Sequence, residues 1–160
     1  MKKQKGFTLL ELLIVIGIIA ILAAIIYVAV DPARRFAEAR NSQRWASVNS
    51  ILNAYLTYTV DERGTEPGDA TSTSPYMIGS GNDPSGCTAT TTNDMLDLSA
   101  DLEGAYLSAI PYDPSLSIAT SSSKTYYYLI RNSRGRITVG ACNVEAISGE
   151  STTTPIYVQR

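Results

Sequence analysis

Histidine is absent from this chain of 160 residues. That removes catalytic triads built on an imidazole base and every His-ligated metal site. Cysteine occurs twice, at Cys87 and Cys142, far too widely spaced for a CxxC redox or zinc motif. No phosphate-cradling glycine motif is present, and none of the serines stands in a nucleophile-elbow pattern. The lack of any Asn-X-Ser/Thr sequon excludes sequon-directed N-glycosylation. Charge is scarce too. Charged residues make up 18% of the chain, against an ordinary share of about 25%, and none falls between Leu12 and Val30. These absences leave no constellation for an enzyme and imply no cofactor.

What the chain does have is an N-terminal block of unusual order. Lys2, Lys3 and Lys5 precede Gly6, Phe7-Thr8-Leu9-Leu10-Glu11 follows, and the uncharged run begins at Leu12. As helix this run is roughly 28 Å long, enough to span a bilayer core. A carboxylate at the edge of such a run is costly in lipid and asks for a partner; in an isolated chain it can instead snorkel to the headgroups. An ordinary signal peptide has an apolar core of about 7–15 residues and a small-residue cleavage site. Here the run is longer, Glu11 interrupts its start, and no clear A-x-A site follows. A plain signal-anchor helix accounts for the length but not for Gly-Phe-Thr-Leu-Leu-Glu. The three lysines favour a cytoplasmic leader, while Arg34, Arg35, Arg40 and Arg44 beyond the run blunt that rule.

Gly6 to Glu11, with Leu12-Leu-Ile-Val-Ile-Gly-Ile-Ile-Ala-Ile-Leu-Ala-Ala24 behind it, resembles the N-terminus of type IV pilins and the related pseudopilins. The resemblance covers roughly residues 1–60. It implies that a prepilin peptidase cuts between Gly6 and Phe7 and that Phe7 is then N-methylated. It implies that Glu11 pairs with the α-amino group of a neighbouring subunit and sets assembly register. The implied partners are other copies of the chain in a helical homopolymer, the peptidase, a pilus assembly platform protein with its ATPase, and membrane lipid around the precursor. Nucleic acid is not a default partner. The implied location is the cytoplasmic (inner) membrane for a single-pass precursor with its head outside, and an extracellular pilus once assembled. A second stretch, Tyr106-Leu-Ser-Ala-Ile-Pro-Tyr-Asp-Pro114, resembles the Y-L-x-x-I-P-x-D-P of some pilins and major pseudopilins. The function expected is a major pilin serving adhesion, motility or DNA uptake. The alternative within the family is a major pseudopilin of a type II secretion system. Outside it, the alternative is a membrane-anchored binding ectodomain.

An extracytoplasmic head permits a disulfide between Cys87 and Cys142, with two separate buried thiols as the other reading. In the chain-entropy model, closing the loop 88–141 stabilises by roughly 4 kcal/mol.

Organisation follows from periodicity. Val48, Ile51, Leu52, Tyr55 and Thr59 define one helical stripe, which Phe36, Ala37 and Trp45 extend less regularly. The expectation is one long helix from about Phe7 to Val60, stopped by Asp61-Glu-Arg-Gly64. Pro32 cannot donate to the carbonyl of Val28, so a kink is expected around Tyr27 to Pro32, with Asp31 as cap and Pro32 at the first helical position. Many relatives carry a proline one turn earlier, at the position of Val28 here. Gly17 is a second weak point, at about 1 kcal/mol relative to alanine. The domain scheme is a cleaved leader (1–6), a membrane and filament-core helix (7–30), its amphipathic continuation (31–60) and a globular head (61–160). Within the head, 61–124 is a helix-to-sheet loop region and 125–160 holds antiparallel strands. Gly- and Pro-rich residues 64–92 read as a long surface loop, with Ser/Thr clusters at Thr71–Ser74 and Thr90–Thr92 open to O-linked sugars. Asn93 to Leu107 reads as a short helix capped by Asn93. Thr125–Arg131 and Arg136–Asn143 read as a hairpin, with Pro155–Gln159 as a third strand. The fold class is α+β: a long N-terminal helix packed against a small antiparallel sheet.

The acids divide unevenly from the bases. Residues 61–160 hold twelve acids and six basic groups, which argues against general nucleic-acid affinity. Asp69, Asp83, Asp94, Asp97 and Asp113 could build a calcium site, but no regular ligand spacing joins them. Arg131, Arg134 and Arg136 form a local basic turn. Of Tyr126, Tyr127 and Tyr128, strand alternation puts at least one in the core.

Overall fold

The computed structural model describes residues 6–70, 73–115, 120–147 and 153–160. Two helices open the chain, α1 (Leu9–Val30) and α2 (Pro32–Asp61). Between them Asp31 adopts the left-handed region, φ 43° and ψ 76°. Pro32 has no N–H to continue the first helix, and a short polar side chain tolerates this conformation better than most. Asp31 Oδ1 accepts from the Arg34 N–H at 3.3 Å, so the residue that ends α1 caps α2. The interruption sits at the C-terminal end of the expected stretch, and Tyr27 to Val30 stay helical. Gly17 lies within α1 with no break.

The chain divides into two units, residues 1–36 and residues 37–160. In the first, α1 buries none of its residues. The second is built on the stripe of α2. Val48, Ile51, Leu52 and Tyr55 are buried, together with Ala37, Arg44, Ser47 and Ala54. Phe36 and Trp45, expected to extend the stripe, are exposed; Arg44 takes the inward place beside Trp45. Arg63 and Gly64 then turn to positive φ, and the Gly64 N–H bonds back to the Thr59 carbonyl at 2.7 Å.

The stripe packs on one face of a five-stranded sheet in the order β2-β1-β3-β4-β5. The strands are β1 (Tyr76–Ile78), β2 (Asp94–Leu96), β3 (Tyr127–Arg131), β4 (Ile137–Ala141) and β5 (Tyr157–Gln159), with a one-turn helix α3 (Ser99–Leu102) after β2. Strand alternation sorts the side chains. Tyr127, Leu129, Ile137, Val139 and Ala141 face α2. Tyr128 and Cys142 sit with Met77 in a second cluster, against which Ile130 packs. Burial pushes the Tyr127 phenol up to about 12. In the β3–β4 turn, Asn132 Oδ1 accepts from the N–H groups of Arg134 and Arg136, both at 2.9 Å, and Gly135 supplies φ 79°.

Two expectations for the first half of the head change. The segment read as a surface loop contains β1, buried throughout and hydrogen-bonded between β2 and β3. Most of the segment read as a helix from Asn93 to Leu107 is not helical. Asp94–Leu96 is an edge strand parallel to β1, and Asn93 donates to the Pro75 carbonyl at 3.1 Å rather than capping. Asp97 Oδ1 instead accepts from Ser99 N–H and Oγ at 2.9 and 2.7 Å, and α3 ends after four residues as Gly104 turns to φ 85°. Tertiary pairing to β1 outweighs helix propensity here. The α+β class stands, with a parallel pair at one edge of an otherwise antiparallel sheet.

Candidate functional site

The N-terminal block forms a small polar fixture at the head of an apolar rod. Thr8 is the N-cap of α1, with extended backbone at φ −83° and ψ 154°. Its Oγ accepts from the Glu11 N–H at 3.2 Å, and Glu11 Oε2 accepts from the Thr8 N–H at 2.8 Å and its hydroxyl at 2.9 Å. This is a reciprocal capping box. It satisfies two orphan amides of the first turn and parks the carboxylate at the positive end of the helix dipole. The box lies within Phe7-Thr-Leu-Leu-Glu11, and sequence reasoning had the signal, Thr followed three residues later by Glu, without drawing it. Gly6 and Phe7 precede the cap and are exposed, Phe7 to 82%. Lys2, Lys3 and Lys5 of the leader lie outside the described residues.

Behind the box, α1 is 22 residues long, roughly 33 Å, and long and apolar enough to cross a membrane. Its large side chains are open, from Leu9 at 81% to Val30 at 48%. Covering one such side chain is worth about 1.5–3 kcal/mol. Over the whole helix this reaches the order of tens of kcal/mol, more than a domain's usual stability. In water α1 therefore demands lipid or other apolar helices around it.

The head is held by a different polar cluster, one that sequence reading missed. Arg44 is fully buried. Its Nε and Nη2 donate to the Asp113 carboxylate at 2.8 and 2.9 Å, and Nη2 also reaches Ser115 Oγ and Glu145 Oε1. Burial pulls its pKa down, but the bonds it donates to Asp113 and Glu145, with the attraction of their charges, outweigh this and leave it above the usual value. Arg40 Nε donates to Glu145 Oε1 at 2.7 Å, and Asn41 donates to the Glu145 carbonyl at 2.9 Å. The cluster fastens the turn at 113–115 and the segment after β4 to one face of α2. Tyr106–Pro114 was singled out by resemblance, and Asp113 within it as a calcium candidate; Asp113 is instead the buried counter-charge of Arg44.

Cys87 and Cys142 form a disulfide with Cα atoms 4.5 Å apart. It ties residues 87–89 to the end of β4, where Thr88 Oγ1 and the Ala89 N–H both donate to the Cys142 carbonyl, at 2.6 and 3.2 Å. The acids offered for calcium are dispersed. Asp113 serves Arg44, Asp83 pairs with Lys124 at 2.6 Å, Asp97 caps α3, and Asp94 accepts from the Met95 N–H. Lys124 and two bonds from Ser85 hold the Asp83 carboxyl well below the usual carboxylate range. The Asp69 side chain, like Thr71 and Ser72 of the first Ser/Thr cluster, lies outside the description. Among the described residues no three candidate metal ligands gather. Of the basic turn, Arg131 pairs with Glu66 at 2.7 Å, while Arg134 and Arg136 are exposed.

Comparison with known families agrees with the N-terminal geometry. Residues 1–27 match the prokaryotic N-terminal methylation motif. No curated protein matches the chain, and no solved structure does. The chain thus carries the prepilin leader of type IV pilins and pseudopilins, and that motif points to a structural subunit made as a membrane-anchored precursor.

Proposed function

We propose that this chain is a major pilin, which polymerises into an extracellular type IV pilus. The single observation that carries the reading is α1: an apolar helix with no buried residue, opened by the methylation motif and by one carboxylate in a capping box. A prepilin peptidase of the membrane cuts between Gly6 and Phe7, and Phe7 is then N-methylated. The box survives the cut, because the Thr8 N–H belongs to the Phe7–Thr8 peptide. The cut also creates a cationic amine at the positive end of the α1 dipole, which is unfavourable by itself. Glu11 offsets it, first in its own chain and then across to a neighbour. The apolar stems leave lipid and pack on one another, van der Waals contact supplies the association, and an unpaired Glu11 disfavours a subunit out of register. One repeated head-to-tail contact generates an open helical polymer. The assembly platform and its ATPase drive extraction, and the filament serves adhesion, motility or DNA uptake.

The test is intact mass and N-terminal sequencing of material sheared from cells. A chain beginning at methylated Phe7 and lacking two hydrogens for Cys87–Cys142 is the expected result. A processed chain absent from the sheared fraction makes it a pseudopilin of a secretion system. A chain confined to membranes and still beginning at Met1 makes it an anchored ectodomain.

A further inference from the structure

The sheet face turned away from α2 holds a cavity of about 310 Å³, with Thr88, Tyr128, Cys142, Thr153, Pro155 and Tyr157 in its wall. Its floor follows from register. Tyr128 of β3 pairs with Gly140 of β4, and Gly140 pairs with Tyr157 of β5, so the two tyrosines flank a glycine in one cross-strand row. The outer part of the Tyr128 ring lies over Gly140: a Cβ there would stand 2.4 Å from both Cζ and Oη. Glycine therefore lets Tyr128 lie across β4 toward Tyr157, where most residues would push it away.

Among the described residues the lining carries no charge. Burial, and after it the neighbouring Tyr157, hold the Tyr128 phenol above its usual pKa, so it stays a neutral donor. Thr88 Oγ1 is committed to the Cys142 carbonyl. By contrast, the hydroxyls of Tyr128, Tyr157 and Thr153 have no hydrogen-bond partner among the described residues. Aromatic and proline surface beside free hydroxyls, without charge, suits a ligand that has apolar C–H faces and hydroxyl edges. The volume is at the small end of ligand sites, enough for one ring. A proline-rich peptide needs a longer groove that seats several residues.

We propose that this cavity binds one ring of a neutral saccharide, stacked against the half-exposed Tyr157 and hydrogen-bonded by Thr153 and by the hydroxyl of the buried Tyr128. This inference does not depend on polymerisation. The test is an NMR titration of the tyrosine-labelled full chain in dodecylphosphocholine micelles, which carry no sugar headgroup. The probes are methyl glycosides of glucose, galactose and N-acetylglucosamine, with glucuronic acid and N-acetylproline amide for comparison. The expected result is saturable movement of the Tyr128 and Tyr157 ring signals with a millimolar midpoint for at least one neutral glycoside. That midpoint should weaken roughly tenfold in Tyr157→Ala and in Thr153→Val, about 1.4 kcal/mol. Gly140→Ala should also abolish binding, and the ring signals of the buried Tyr55 and Tyr127 show whether the core stays folded. The proposal is overturned if no neutral glycoside moves these rings, if Tyr157→Ala and Thr153→Val bind like the parent, or if only the proline amide or the charged sugar binds.

Discussion

The stem and the head use the same chemistry to opposite ends. Both carry a carboxylate close to a helix, and both carry large apolar side chains in helical register. In the head the apolar stripe of α2 is covered by the sheet, and Asp113 is buried against Arg44. In the stem the apolar side chains of α1 remain open, and among the described residues Glu11 has only the donors of Thr8. The head closes on itself; the stem requires an environment. A polar group in the head is therefore read by its effect on folding, and one in the stem by its effect on assembly.

The sharpest way to break this comparison is Glu11→Ala. It removes the one acid of α1. We expect sheared filaments to fall at least tenfold while precursor in the membrane is unchanged. Filaments at parental level would leave Glu11 without a role in assembly. The corresponding change in the head is Asp113→Ala, which strands a buried guanidinium. A broken buried pair costs roughly 3–5 kcal/mol, and replacing both members by apolar residues is often neutral. Thermal unfolding of the full chain in micelles should show a large loss for Asp113→Ala and partial recovery for Arg44→Met/Asp113→Leu. Equal melting of parent and Asp113→Ala would mean that water or a moved side chain relieves Arg44.

Disulfide removal sharpens the comparison from another side. Cys87→Ser/Cys142→Ser should destabilise the head by roughly 2–4 kcal/mol and leave membrane insertion of α1 untouched. Loss of insertion along with head stability would show the two regions to be coupled.

The head also titrates. The bond from Arg40, opposed by partial burial and aided by Arg44, holds the Glu145 carboxyl below its usual value of 4.5. A depressed folded-state pKa contributes stability that is present above 4.5 and is lost as pH falls through the lower folded value. Melting temperature should therefore drop below about pH 4.5, and the drop should be shallower in Glu145→Gln. An unchanged acid slope in that variant would assign the effect to other carboxylates.

How much of this was legible depended on the range of the interaction. The apolar run, the stop at Asp31-Pro32, the α2 stripe and the β3–β4 hairpin are local patterns, and each stands near where periodicity and turn residues put it. Tyr76-Met-Ile was not legible, since three apolar residues among Gly, Pro and Ser carry no period, and only β2 and β3 make them a strand. Asp94–Leu96 misled for the same reason: an acidic, leucine-bearing stretch favours a helix until a parallel neighbour claims its backbone. Arg44 was invisible because its partners lie 69 and 101 positions away. An arginine inside an apolar stripe, flanked by Asn41 and Ser47, is the one clue that a carboxylate must reach it.

The smallest expected effect separates the two duties of the capping box. Thr8→Ala removes the hydroxyl that accepts from Glu11 N–H and donates to Glu11 Oε2, but it keeps the backbone donor. Loss of an N-cap costs about 0.5–2 kcal/mol, a small fraction of what burying α1 returns in lipid. Insertion should then persist, and only the amides of Leu9 to Leu12 should exchange faster in micelles. If Glu11 serves chiefly as a cap, Thr8→Ala and Glu11→Ala will deplete filaments alike. If its main partner is another subunit, Thr8→Ala will keep most of them, because a freed carboxylate reaches across to a neighbour at no greater cost.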